Sequence, residues 1–124
     1  MPRQPESESE LQQAFVRLLR NGLVLHYPDL RWMHAIPNGA RFSSIGTAAK
    51  IKREGLTPGI ADMFLPLARG DRHGLYLEFK FRKGRQSPRQ KEFQFWCENH
   101  GYVYAIARSV EEATHEVLCY LGVR

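Results

Sequence analysis

Apolar residues recur at three- and four-residue steps over residues 7–21, where Leu11, Ala14, Phe15, Leu18 and Leu19 share one side of a helix. Ser7 with Glu10 three residues on makes a capping box at its start, and Asn21-Gly22 marks its end. Residues 31–36 read as a short strand stopped by Pro37-Asn38-Gly39, and residues 44–54 as a polar, basic helix closed by Gly55. Two strand-like runs follow, residues 60–67 and 74–81, joined through Arg69-Gly70-Asp71-Arg72-His73, a loop length that suits a hairpin. Ser87-Pro88 with Gln90 opens a third helix with a second capping box; it runs to His100, and Gly101 stops it. Residues 102–107 form a strand, and Ser109 with Glu112 opens a last helix that ends near Leu121. The order α-β-α-β-β-α-β-α predicts an α/β fold, a mixed β-sheet flanked by helices. No repeat, low-complexity tract or linker interrupts it, so residues 1–124 read as one domain with residues 1–6 as a flexible lead-in.

The hairpin carries acids where its pattern is otherwise apolar. Asp62 follows Gly59-Ile60-Ala61 in the first run, and Glu78 and Lys80 sit in Leu77-Glu78-Phe79-Lys80 of the second. Ionised groups in such places cost several kcal/mol unless paired or bound to a metal. Glu78 and Lys80 are two apart and so share a face of their strand. A symmetric turn would bring Asp62 to the same face. Two opposed carboxylates call for a divalent cation to offset their repulsion, and Lys80 beside them could orient a water or stabilise charge on a phosphate. The alternative is a salt bridge between Lys80 and one of the acids on a half-exposed sheet.

Charge narrows the choice of partner. The chain has a net charge of +5, and residues 69–91 alone hold eight basic residues against two acids, a net of +6. Such a cluster, which includes Arg82, Lys83, Arg85 and Arg89, attracts a phosphate backbone without reading sequence; a solvated surface is the alternative. No apolar run approaches the ~20 residues of a membrane span, and the first residues lack the apolar stretch of a signal peptide. Cys97 and Cys119 read as buried, reduced thiols of a cytoplasmic protein. His26, His34, His73, His100 and His115 show no H-x-x-x-H or Cys/His pairing, which argues against zinc. Trp32, Phe93 and Trp96 read as core rather than as platforms for bases.

The first helix adds a further acid. At about 100° per residue, Glu8 falls roughly 50° from the centre of the apolar side and Glu10 roughly 110° away. Glu8 is therefore an acid on the inner side of the helix, with a solvated first turn as the alternative. With Glu8, His34-Ala35-Ile36-Pro37-Asn38-Gly39, residues 55–62, residues 74–80 and residues 87–93 in this order, the chain resembles a virus-type replication-repair nuclease (VRR-NUC) domain of the PD-(D/E)XK nuclease superfamily.

The resemblance implies roles residue by residue. Asp62 and Glu78 match the metal-binding acids, with the Phe79 backbone carbonyl as a further ligand, and Lys80 matches the catalytic lysine. Glu8 matches a helix-one glutamate that reaches the metal through a water, with Glu10 as the fallback. Gln90 matches a supporting glutamine, and Asn38 and Gly39 a loop near the site. Ala61 stands where the superfamily has a Pro. Implied with them are Mg²⁺ or Mn²⁺, a DNA substrate that is branched, such as a Holliday junction, a homodimer, and a phage or bacterial setting in replication, repair or recombination. A non-catalytic nucleic-acid-binding module and a nuclease with sequence preference are the competing expectations.

Overall fold

The computed structural model describes residues 3–37 and 44–123; Asn38 and Gly39 lie outside the described residues. Helix α1 (Glu8–Leu18) starts at Ser7, whose hydroxyl accepts the Glu10 amide at 3.1 Å. The box is not completed, because the Glu10 carboxylate pairs with Arg3 instead. Asn21-Gly22 does not end the helix. The chain passes through a π-helical turn (Leu19–Leu23) into a last turn, α2 (Val24–His26). Burial of Leu19, with Leu23, Val24 and Tyr27 packed on the same core, outweighs the ~1 kcal/mol that a helical Gly costs.

Pro28 then opens a 3₁₀ turn (Pro28–Trp32), so the expected strand shrinks to β1 (His34–Ala35). Helix α3 (Ile45–Arg53) lies where the sequence predicts a helix, is capped by Ser44, and has no fully buried residue. Strands β2 (Met63–Leu65) and β3 (Gly74–Phe79) are shorter than the apolar runs suggest. Helix α4 (Pro88–Glu98), strand β4 (Tyr102–Ala107) and helix α5 (Val110–Tyr120) complete the order. The sheet runs β1-β2-β3-β4, antiparallel except for the β3–β4 pair. Among the described residues no helix is long and apolar enough to cross a membrane.

Alternation along the strands divides the side chains between two layers. On one face Met63, Leu65, Leu75, Leu77, Phe79, Ala105 and Ala107 pack against Leu11, Phe15 and Leu19 of α1 and Ala113 and Val117 of α5. The Phe15 and Phe79 rings meet at 5.8 Å. On the other face α4 lays Cys97 and Phe93 over Tyr76, Tyr102 and Tyr104. Both faces of β3 are thus covered.

The hairpin reaches its register by an unexpected route. Arg69 bridges Arg72 around Gly70 (φ 58°), whereas Leu65 pairs with Leu75. Three residues, 66–68, therefore lie opposite two, 73–74, and the extra one compensates for an off-centre turn. Met63 opposes Leu77, which brings Asp62, one residue before β2, beside Glu78.

Candidate active site

Asp62 precedes β2 by one residue, yet its backbone is held from both sides. Its N–H donates to the Leu77 carbonyl (3.1 Å), and its carbonyl accepts from the Ile36 N–H (2.8 Å). Its carboxylate accepts the Phe79 amide at 2.7 Å, which fixes the side chain over β3 beside Glu78. Lys80 lies one residue past β3, and its amide donates to the Ala107 carbonyl (3.0 Å), continuing the ladder and keeping Lys80 on the Glu78 face.

All three side chains are out of water: Glu78 is 1% exposed, Asp62 4% and Lys80 8%. The half-exposed alternative does not hold. Nor does Lys80 bridge to Asp62 or Glu78 directly. Its ammonium donates to Gln90 Oε1 at 2.9 Å and lies 3.6 Å from Glu8 Oε1. Gln90 is the hinge of the network. Its Nε2 donates to Glu78 Oε2 at 2.6 Å, and its Oε1 accepts both Lys80 and the Ser87 amide (2.8 Å). The reverse amide orientation would set an NH₂ against an ammonium and an oxygen against a carboxylate, so the network determines it. Ser87 returns the bond to the Gln90 amide, completing the capping box. The cap thus anchors Gln90 at the first turn of α4, where its amide reaches both groups.

Burial, and then the neighbouring Asp62, push the Glu78 carboxyl up to about 9, while Lys80 pulls it down and Glu8 adds to the rise. Tyr104, buried above the same acids, is raised as well, by burial first and then by Glu78. Two opposed acids in a buried place must therefore share a proton or a cation. Among the described residues no three His, Cys, Asp or Glu groups come together, so Glu8 does not close a triad. A pair of carboxylates still suits a hard ion such as Mg²⁺, which keeps most of its waters and takes phosphate oxygens as further ligands.

A cleft of about 590 Å³ opens on this network. Glu78, Gln90 and Ser87 lie at one wall, α3 at the other, and residues 56–61 between them. Gly59 (φ 84°) fits against α4 so closely that a Cβ there would sit 2.6 Å from Arg89 Cβ. Glycine at this position serves both the left-handed backbone and the contact.

The basic residues expected to hold DNA surround the site without entering the network. Arg82, Lys83, Arg85 and Arg89 are exposed. Arg82 takes a left-handed φ of 51° directly after the site, and Arg108 ties its turn down through the Arg82 (2.6 Å) and Gly84 (2.9 Å) carbonyls. Glu10 points away, to Arg3. Asn38 lies outside the described residues.

Some expectations fail. Trp32 and Trp96 are 59% and 46% exposed, not core; Arg31 lies over the Trp32 ring and His100 stacks on Trp96 at 4.3 Å. Phe93 is half-buried among Tyr76, Trp96 and Tyr104. Cys97 is buried, but Cys119 is exposed, with its sulfur 3.4 Å from His115 Nε2. A Cys/His pair therefore does exist. The i, i+4 spacing on α5 carries it, so the expectation that no Cys/His pairing occurs is overturned there. Reasoning from sequence also missed Gln12, buried one turn beyond Glu8, which helical spacing from Glu8 would have found.

The chain is similar to known proteins over most of its length. The family model for the VRR-NUC domain matches residues 6–111. A solved structure described as a VRR_NUC domain protein superposes with a TM-score of 0.77 at 24% identity, over 98% of this chain and 93% of that one. No curated protein is similar to the chain in sequence.

Proposed function

Because the chain belongs to the VRR-NUC domain family, a nuclease family with the PD-(D/E)XK-like fold, we propose that it is a metal-dependent DNA endonuclease acting through Asp62, Glu78 and Lys80. The observation that carries this reading is the buried, opposed pair Asp62 and Glu78 with Lys80 on the same face and Gln90 joining Glu78 to Lys80. Asp62 and Glu78, with the Phe79 carbonyl, would hold Mg²⁺ or Mn²⁺, and Glu8 would reach it through a water. Such an ion supplies Lewis-acid neutralisation of the scissile phosphate.

The remaining work falls to the protein. The Phe79 amide fixes Asp62. Gln90 holds Glu78 and Lys80 in one geometry, and its cap keeps Gln90 from rotating away. Lys80, in a water-poor position, carries a positive charge to where negative charge develops, and such a preorganised charge is worth far more there than in solution. Glu8 balances that ammonium before substrate arrives. Arg82, Lys83, Arg85 and Arg89 would grip the phosphate backbone, with Asn38, by the family resemblance, as a further DNA contact.

Branched DNA such as a Holliday junction, cut by a homodimer with two sites, is the substrate this reading favours. A chain of 124 residues offers little area for a branched duplex, and paired cuts need paired sites. Labelled four-way junctions, flaps and linear duplex, incubated with the protein in Mg²⁺ or Mn²⁺, test it. Cleavage of junctions above linear duplex, abolished by Asp62→Ala and by Lys80→Ala, is expected. Intact DNA in every lane, or cutting that ignores both substitutions, would overturn the enzyme reading.

A further inference from the structure

The cleft beside Glu78 has a lining that a phosphate backbone alone would not select. From α3 and the segment after it come Ile45, Ala48 and Leu56, which are apolar, and Lys52, which among the described residues is the one cation in the lining; Glu78 and Gln90 belong to the same lining. Among the described residues helix α3 has none fully buried: Ala48, Ala49 and Ile51 are half-buried and Ile45 is 90% exposed, so its apolar side lines the cleft rather than a core. A surface built only to hold phosphates would be basic throughout. A purely apolar ligand would leave Lys52 without a role. The cleft's volume of about 590 Å³ lies in the range of pockets that enclose a small organic group. A duplex, whose major groove alone is about 12 Å wide, can only cross its mouth.

We propose that this cleft takes an unpaired nucleotide of the DNA, its base and sugar against Ile45, Ala48 and Leu56 and its phosphate toward Lys52, next to the bond that Glu78 addresses. The inference rests on the nuclease reading and deepens it, since it gives the site a preference for DNA with an unpaired nucleotide at the cut. The arrangement is suited to this. A base removed from its stack offers an apolar face that α3 can cover, and the adjoining phosphate brings the charge that Lys52 and the carboxylate centre accommodate. Lys52 would be a binding residue and α3 a cover that gains its packing from the substrate.

Fluorescence anisotropy in EDTA tests this without cleavage, using labelled hexathymidylate and a duplex of the same length. The unmodified protein is expected to bind the single strand more tightly than the duplex. Ala48→Gln, which fills the cleft without charge, and Lys52→Ala should each weaken single-strand binding about ten-fold, the scale of one lost base contact, and duplex binding less than about two-fold. Thermal melts should change little, because Lys52 is exposed and Ala48 only half-buried. Absence of single-strand preference, or equal losses on both DNAs, would overturn the proposal. Failure of the nuclease reading would show elsewhere, as no cutting in Mg²⁺ or Mn²⁺, and would leave this binding result standing.

Discussion

The two faces of β3 are built from one backbone under opposite rules. Leu75, Leu77 and Phe79 point to a dry layer against α1 and α5, and none of the three has measurable exposure. Tyr76, half-buried, and Glu78, with Lys80 beyond it, both buried, point to the layer under α4, where the groups are polar. Each apolar side chain contributes about 1.5–3 kcal/mol by leaving water. Each charged one loses solvation, and what returns is the hydrogen bonds of Gln90 and of the Phe79 amide. One face therefore stabilises the fold, while the other draws on that stability to hold a reactive geometry.

Substitutions should separate the faces sharply. Asp62→Asn is expected to reduce cleavage by about 10³-fold while leaving the melting temperature equal or higher, since it removes one of two repelling buried acids. Single-turnover rates and melts in EDTA would check this; a large loss of stability would mean that Asp62 holds the fold. Leu77→Ala, one residue from Glu78, should do the reverse. It should cost about 2–5 kcal/mol in denaturant melts and leave the folded fraction able to cut.

Gln90→Leu should fall between the two. It disconnects Glu78 from Lys80, and activity should drop about 10–100-fold through kcat rather than KM. The lost capping box should lower stability by about 1 kcal/mol.

A further effect is on pH dependence. Without metal, the folded protein keeps the Glu78 proton up to about 9, where an ordinary carboxyl releases it near 4.5. The folded state thus binds the extra proton between these values, and this contribution to stability is lost as pH rises through that window. Urea melts in EDTA at about pH 5, 7 and 9 should show Glu78→Gln gaining on the unmodified protein as pH rises. A constant difference would argue that the acid is charged throughout.

How far the faces were legible depended on whether the governing forces were local. Ser44, Ser87 and Ser109 mark their helices correctly because a cap is settled within four residues. The same local logic misplaced the end of the first helix, where Asn21-Gly22 is overridden by the packing of Leu19 and Leu23. Asp62, Glu78 and Lys80 could be picked out as out-of-pattern charges, Glu8 by its helical register and Gln90 by the resemblance, but which group each would bond could not. The Gln90 bond to Lys80 joins residues ten apart around a turn, and Lys80 meets Glu8 across most of the chain. Trp32 and Trp96 misled because aromatic content says nothing about which side of a short element faces water.

The extra residue in the hairpin gives its surface loop an unusual relation to length. Loops ordinarily accept insertions and deletions, but here the count between β2 and β3 bears on the register. With three residues opposite two, Asp62 and Glu78 share a face. Remove one from residues 66–68 and two residues stand opposite two: the bulge closes, Leu65 still meets Leu75, and the faces stay in register. Add one, and either the bulge holds a second unpaired residue or the pairing slips by one and turns Asp62 toward the apolar layer. This loop should therefore accept the loss of one residue more readily than the gain of one, so that a segment distant from the chemistry is constrained in its length and free in its composition.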